Sequence, residues 1–324
     1  MYYIIVNPAS KSGQGARIWS QIRPVLDKRK IAYKVFFSRE AGHVIRLTHK
    51  LTASLLKNDS KSVIKLIVLG GDGTLNEVLQ GVSDFNRVLI GYLPTGSSND
   101  MARDLRLPKN PIQILDGILS CQKPVLMDLG CLTYEQLSGK FSRQHSSEIF
   151  TKRYFAVSCG IGFDAAVCEE ALASSFKNVL NKIGLGKLTY LSIALKQLIK
   201  ARKITCTITL DDRKPIYLPK FLFVASMIHQ YEGGGFKFCP GANDHDGLID
   251  VCCIGNIPKW LTFLALPTAF TGNHYRFNGI DHYTASKVHL ETSSPLWVHT
   301  DGEVTMKSSS ITLTCERNKL QFLL

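Results

Sequence analysis

The apolar run Val63 to Leu69 stops abruptly at Gly70-Gly71-Asp72-Gly73, and a helix-forming segment, Leu75 to Leu79, begins at once. That order reads as a buried strand passing through a tight turn into a helix. Glycines let the backbone come into van der Waals contact with a ligand and adopt positive φ. The helix start presents N–H groups with no intrahelical partner, and these favour phosphate. Asp72 at that spot would repel a bare phosphate, so its presence implies a cation between them, most simply Mg2+. A capped turn needs one glycine, whereas this one has three.

The rest of the first third alternates in the same manner. Tyr2–Val6 reads as a strand, Gly15–Lys30 as a helix with Ile18, Ile22 and Leu26 on one face, Ala32–Phe37 as a strand and Gly42–Lys57 as a helix. After the Asp72 turn come a short helix, the strand Val88–Leu93, and the helices Ser98–Leu105 and Pro111–Cys121. Strands alternating with helices imply a doubly wound parallel sheet covered on both faces. Ligands of such sheets bind beyond the carboxyl ends of the strands. Three loops fall there: Asn7-Pro8-Ala9-Ser10-Lys11-Ser12-Gly13, the Asp72 turn, and Pro94-Thr95-Gly96-Ser97-Ser98-Asn99-Asp100.

After about Asp128 short alternating runs dominate: Tyr154–Cys159, Ile204–Leu210, Phe221–Met227, Leu248–Cys253, Lys287–Glu291, Leu296–His299, Ile311–Cys315 and Leu320–Leu324. They read as a mostly antiparallel β domain, sandwich-like or barrel-like, interrupted by a helical insert at 171–203. The expected division is a nucleotide-binding α/β domain at 1–128 and a β-sandwich domain at 129–324, joined near Leu126–Leu129 without a floppy linker.

The net charge of +13 attracts nucleotides, nucleic acid or anionic lipid surfaces without choosing among them. The nine cysteines show no C-x-x-C spacing, and no secretory h-region precedes Met1, so thiols in a reducing cytosol are expected. Leu261 to Phe270 is too short to span a bilayer and contains Pro267. A cytoplasmic protein, at most peripherally attached to membrane, is expected.

The order of Asn7-Pro8, Gly70-Gly71-Asp72-Gly73-Thr74, Pro94-Thr95-Gly96-Ser97-Ser98-Asn99-Asp100, Tyr231-Glu232-Gly233-Gly234-Gly235, Asp246-Gly247-Leu248-Ile249-Asp250 and Asp301-Gly302-Glu303 resembles that of diacylglycerol-kinase-like lipid kinases. The chain is similar to bacterial soluble members of that family from its first strand to about Val304. The resemblance implies a nucleotide-binding α/β domain followed by a β-sandwich. It also implies ATP and Mg2+, and phosphorylation of a primary hydroxyl on diacylglycerol or a related lipid, giving phosphatidic acid. It assigns ATP contacts to Asn7, Pro8, Ala9, Ser10 and Lys11, to Ser38, to Gly70, Gly71, Asp72, Gly73, Thr74, Leu75 and Asn76, and to Ser97 and Ser98. Neither a G-x-x-x-x-G-K-[ST] loop nor a protein-kinase catalytic loop occurs.

Lys11 either gives the phosphates a point charge or is a solvated loop lysine. Arg103 either stabilises charge on the transferred group or pairs with Asp100 or Asp104 on its own helix. Asp301-Gly302-Glu303 by itself reads as a β-hairpin turn. The resemblance places the general base there, at Glu303 with Asp301 as the fallback, and a loose phosphoryl-transfer transition state asks little of that base. Asp246-Gly247-Leu248 reads as a turn between strands; the resemblance makes it a structural Mg2+ loop, with the Asp246 side chain and the carbonyls of Asn243 and Leu248 as hard oxygen ligands. His245 has no second His or Cys at ligand spacing, which argues against zinc. Gly160-Ile161-Gly162-Phe163-Asp164 reads as a β-turn.

The insert carries Lys177, Lys182, Lys187, Lys196, Lys200, Arg202 and Lys203 among apolar residues and no acidic one. It suits either an anionic membrane surface or a helix packed on the β domain. Rival readings are a sphingoid or ceramide kinase, an NAD kinase, and a non-catalytic sensor binding nucleotide and membrane. NAD kinases usually carry Asn-Glu where this chain has Asn99-Asp100. No nucleic-acid module is recognisable. The oligomeric state stays open, a homodimer included.

Overall fold

In the computed structural model, which describes residues 1–59, 61–137, 151–173, 193, 195–201 and 204–324, the apolar runs of the N-terminal region form parallel strands. The chain divides into two units, Met1–Asp128 with Arg317–Leu324, and Leu129–Glu316. The first unit runs β1 (Tyr2–Val6), α1 (Ser10–Lys28), β2 (Tyr33–Phe37), α2 (His43–Asn58), β3 (Ile64–Gly70), α3 (Asp72–Gly81), β4 (Val88–Pro94), α4 (Asp100–Asp104) and α5 (Pro111–Ser120). β1 pairs with β2 and β3, and β3 with β4, all in parallel. Side chains alternate across a strand. Ile4, Val6, Ile67 and Leu69 therefore share one core with Ile18, Ile22 and Leu26 of α1 and Ile114, Leu115 and Ile118 of α5. Their neighbours Ile5, Leu66 and Val68, equally buried, serve the opposite face. Because the strands run parallel, the loops after β1, β3 and β4 leave from one rim.

The long helix starts differently from its sequence expectation. α1 begins at Ser10, but Lys11, Ser12 and Gly13 have φ of 41°, 55° and 93°, so its first residues are left-handed and the regular helix follows them. Left-handed backbone at non-glycine residues is sparsely populated and gathers at ligand-binding loops.

The second unit is antiparallel. It comprises part of β5 (Val125–Leu137), β6 (Lys152–Phe155), β7 (Ser158–Gly162), α6 (Phe163–Ala173), β8 (Ile204–Leu210), β9 (Ile216–Met227), β10 (Ile249–Gly255), α7 (Lys259–Ala265), β11 (Ile280–Ala285), β12 (Lys287–Thr300) and most of β13 (Glu303–Leu323). β9 and β12 each change partner midway: their early residues in β9 and β12 pair with β8, their late residues with β7. Two long strands thus pass from one layer to the other, as sandwiches with turned corners require. Phe155, Ile161, Ile208, Phe221, Val251, Val288, Val298 and Ile311 fill the space between.

Four sequence expectations need correction here. Tyr154–Cys159 is two strands, β6 and β7, and Gly160–Asp164 is not a turn but the end of β7 running into α6. Leu320–Leu324 leaves the β-rich region: Gln321, Phe322 and Leu323 pair in parallel with Leu89, Ile90 and Gly91 of β4, within the first unit. The region expected at 129–324 therefore ends at Glu316. Of the basic insert, Lys177, Lys182, Lys187, Arg202 and Lys203 lie outside the described residues, whereas Lys196 pairs with Glu170 of α6. Among the described residues no helix is long and apolar enough to cross a membrane.

A second core of this unit lies under α6 and α7 and contains Phe223, Phe238, Cys252, Ile254 and Ala265. His274 is buried at its edge. Its Nε2 lies 3.1 Å from the Phe238 carbonyl, which can only accept, and its Nδ1 is buried without a partner. Burial, opposed by that hydrogen bond and aided by His282, lowers its pKa from 6.5 to about 4. The unfolded chain takes up a proton below pH 6.5 that the folded chain refuses until about 4, so stability is whole above 6.5 and falls between those values. The loss should reach roughly 3 kcal/mol at the acid end. Thermal melts from pH 7 to 4 should show this slope flattened in His274→Gln; an identical slope in both proteins would assign the acid sensitivity elsewhere.

Candidate active site

The three loops on the first unit's rim are interlocked. Asn7 at the end of β1 donates from Nδ2 to Thr74 Oγ1 of α3 at 3.0 Å and accepts the Ala9 N–H at 3.2 Å. Ser10 Oγ lies 2.6 Å from Thr95 Oγ1 in the loop after β4 and donates to the Asn7 carbonyl at 2.9 Å. The Thr95 N–H donates to the Gly70 carbonyl at 2.7 Å. Asp72, first residue of α3, accepts the Asp100 N–H at 3.2 Å and the Tyr92 hydroxyl at 3.4 Å. Each loop is thereby fixed by the other two.

The glycines have a packing reason that sequence did not suggest. A Cβ on Gly71 would lie 2.9 Å from the Gly96 Cα, and one on Gly96 would lie 2.6 Å from the Gly71 Cα. The two turns touch backbone to backbone, which only residues without side chains allow. The start of α3 and the Asp72 carboxylate are thus held on the rim.

Most of the residues assigned to ATP lie together there. Asn7, Pro8, Ser10, Ser38, Gly71, Asp72, Gly73 and Ser98 are half-buried, while Ala9, Lys11 and Ser97 are exposed. Ser38 follows β2 directly, and its N–H donates to the Val6 carbonyl at 2.9 Å. Gly70, Thr74, Leu75 and Asn76 are buried. Leu75 belongs to the core, and the buried Asn76 accepts from Gln80 Nε2 at 3.2 Å. Arg103 sits 3.9 Å from Asp100 on its own helix, the ion-pair alternative of the sequence reading.

In the second unit, Asp301 and Gly302, with φ of 51° and 82°, form the two-residue turn between β12 and β13, and Thr300 faces Glu303 across it. Asp301 is occupied by this turn. Its carboxylate accepts the N–H groups of Ala156, Val157 and Ser158 at 3.0, 2.8 and 3.0 Å, a clamp that leaves it poorly suited as a base. Glu303, the first residue of β13, is half-buried. In the Asp246 loop, Asp246 Oδ1 accepts the Leu248 N–H at 2.9 Å and Asn243 Oδ1 accepts the His245 N–H at 3.2 Å. The exposed Asp246 carboxylate keeps its second oxygen outside that turn, a hard donor of the type Mg2+ takes.

Sequence reasoning missed a buried cluster beside this turn. His299 Nε2 lies 3.1 Å from Glu232 Oε1 and 3.3 Å from Asp164 Oδ2, and its Nδ1 accepts the Gly302 N–H at 3.2 Å. Burial disfavours charge on His299, but Cys168, Glu232 and Asp164 together raise its pKa well above the ordinary value. Burial raises Asp164 as well, with Glu232 adding to the effect and His299 opposing it. With Nδ1 accepting the Gly302 N–H, the imidazole carries a proton on Nε2, where it faces the Glu232 and Asp164 carboxylates. No spacing in the sequence joins Asp164, Glu232 and His299; the hint was three polar residues inside otherwise apolar or glycine-rich runs.

Residues 1–131 match the model of the diacylglycerol kinase catalytic domain, and residues 157–323 that of the YegS C-terminal NAD kinase beta sandwich-like domain. The candidate lipid kinase YtlR of Bacillus subtilis (strain 168) is 27% identical over 94% of this chain and 93% of its own length. A diacylglycerol kinase of Mycobacterium tuberculosis (strain CDC 1551 / Oshkosh) is 26% identical over 79% of this chain and 74% of its own. The crystal structure of a candidate diacylglycerol kinase from Bacillus anthracis str. Sterne superposes with a TM-score of 0.70 at 22% identity, over 99% of this chain and 96% of that one, and so shares the fold. With both of its units matched, the chain belongs to the kinase family built from a diacylglycerol kinase catalytic domain and a YegS C-terminal NAD kinase beta sandwich-like domain.

Proposed function

We propose that this chain is a lipid kinase that transfers the γ-phosphoryl group of ATP to the primary hydroxyl of diacylglycerol or a related lipid, giving phosphatidic acid or its analogue. The observation that carries the reading is the interlocked rim of Asn7, Ser10, Thr74 and Thr95, with the Asp72 carboxylate held at a helix start. A helix N-terminus attracts phosphate. A carboxylate fixed beside it suits Mg2+, whose chemistry when bound is to neutralise phosphate charge. The lipid class comes from the names of the relatives.

In this reading Asn7, Ser10, Ser97 and Ser98 offer polar atoms to the nucleotide, and Lys11 offers a charge. Glu303 accepts the hydroxyl proton as the alcohol oxygen bonds to the γ-phosphorus and the bond to the leaving ADP oxygen breaks. Asp301 and His299 hold the turn that carries Glu303. Asp246, with the carbonyls of Asn243 and Leu248, would hold a second, structural Mg2+. The acceptor lipid lies in an anionic membrane that the enzyme visits peripherally.

The test is incubation with labelled ATP and a total lipid extract, followed by identification of the labelled product. Labelled phosphatidic acid supports the reading. A labelled sphingoid, ceramide or NAD product would move it to another acceptor, and nucleotide binding without turnover would move it to a sensor.

A further inference from the structure

The outer faces of three neighbouring elements in the second unit are apolar. The helical residues 195–200, α7, and the 3-10 segment Leu266–Thr271 turn Leu198, Thr262, Ala265, Leu266 and Ala269 inward around one small apolar cavity. Their exposed residues include the large apolar side chains of Leu195, Ile199, Trp260, Phe263, Leu264 and Phe270, beside Lys196 and Lys200. The exposures are large: 69% for Ile199, 67% for Trp260 and 53% for Leu264. Lys259 Nζ donates to the Ile199 carbonyl at 2.7 Å, which ties the first two elements together. Soluble surfaces rarely gather large apolar side chains in this way without a partner.

We propose that this face is the membrane-docking surface of the protein and that its partner is an anionic lipid bilayer. Charge selects that partner. Residues 195–201 and 256–279 contain no Asp or Glu, while Lys200, Lys259 and Arg276 stand among the apolar residues. Phosphate headgroups meet such lysines and arginines at the depth where Trp and Phe side chains settle among acyl chains. An apolar protein partner would not require the exclusion of acids. The inference rests on the lipid-kinase reading only for why the chain would need a bilayer, and it extends the expected contact from the end of the insert, residues 195–200, to α7 and the segment after it.

The experiment is co-sedimentation of the full chain with vesicles of phosphatidylcholine alone or mixed with phosphatidylglycerol. The wild type should bind the anionic vesicles, and binding should weaken in high salt. Trp260→Ser with Phe263→Ser should weaken it at least about tenfold, as loss of two inserted aromatic side chains requires. Lys200→Glu with Arg276→Glu should abolish the preference for anionic vesicles. Both pairs are exposed or rim residues, so melting temperatures should stay near wild type; Phe270→Ser, on a separate element, gives an independent reading. Activity on short-chain diacylglycerol in detergent micelles should persist in every variant. Vesicle binding that survives all of these changes would overturn the proposal. So would wild-type protein that ignores vesicles but forms a dimer, by sedimentation velocity, that Trp260→Ser dissociates. Vesicle binding without phosphorylation of any lipid would retire the kinase reading and leave this surface standing.

Discussion

Asp72→Asn is expected to lower turnover by roughly a hundredfold or more while moving the melting temperature by no more than about 3 °C. The substitution removes a charge but keeps the shape: the amide oxygen can accept the Asp100 N–H in place of Oδ2, and the amide NH2 in place of Oδ1 can donate to the Tyr92 hydroxyl oxygen, so the interlocked loops survive. What goes is the negative group able to position a cation on phosphate. Glu303→Gln should act similarly on turnover, because the half-buried first residue of β13 loses its basic oxygen and keeps its backbone pairing with Thr300. Steady-state rates with diacylglycerol micelles and calorimetric melts of each variant separate the two effects. A variant with full activity would strike its residue from the mechanism, and one that melts far lower would show a structural role instead.

Gly160→Ala is expected to destabilise the second unit by about 3 kcal/mol or more, a fall in melting temperature of about 6–12 °C. A Cβ there would lie 2.0 Å from Asp164 Oδ2 and 2.3 Å from His299 Nε2. Both atoms belong to a buried cluster whose partners cannot be replaced by water, so one side chain must leave its hydrogen bonds. If His299 moves, Gly302 loses the acceptor of its N–H and the turn bearing Glu303 loosens, so residual folded protein should also turn over slowly. Gly241→Ala is the matched control, since a Cβ there meets nothing within 4 Å and the melting temperature should change by less than about 1 °C. A Gly160→Ala protein as stable as that control would show the cluster to be loose.

The first unit was legible because periodicity and punctuation agreed there. The strand ends at Val6, Gly70 and Pro94 are marked by Asn-Pro, Gly-Gly and Pro-Thr, and parallel pairing then forces all three loops onto one rim. Two kinds of feature escaped. The left-handed residues Lys11 and Ser12 are hidden because nothing in their identity announces positive φ, and periodicity alone starts the helix at Gly15. Asp164 lies in the first turn of α6, Glu232 in the loop beyond β9 and His299 near the end of β12, and only the antiparallel registers of β7, β9 and β12 bring such positions together. Glycine-rich turns at strand ends suggest ligand cradles, yet the nearest requirement of Gly71 and Gly96 is each other, since their backbones meet where a Cβ would not fit. Asp301 and Glu303 could not be ranked from the tripeptide. The structure shows three backbone N–H groups on the Asp301 carboxylate, a contact that no spacing in the tripeptide announces.

The return of Gln321, Phe322 and Leu323 to the side of β4 has a consequence for synthesis. A ribosome emits residues 1–128 long before it reaches 317, so the nascent N-terminal sheet stands with one flank bare, its amides and carbonyls along β4 open to any passing strand. At ordinary elongation rates that interval lasts about ten seconds or more. Completion of the earlier-made half thus depends on a segment made much later, and chaperone capture or premature pairing would strike at β4 first.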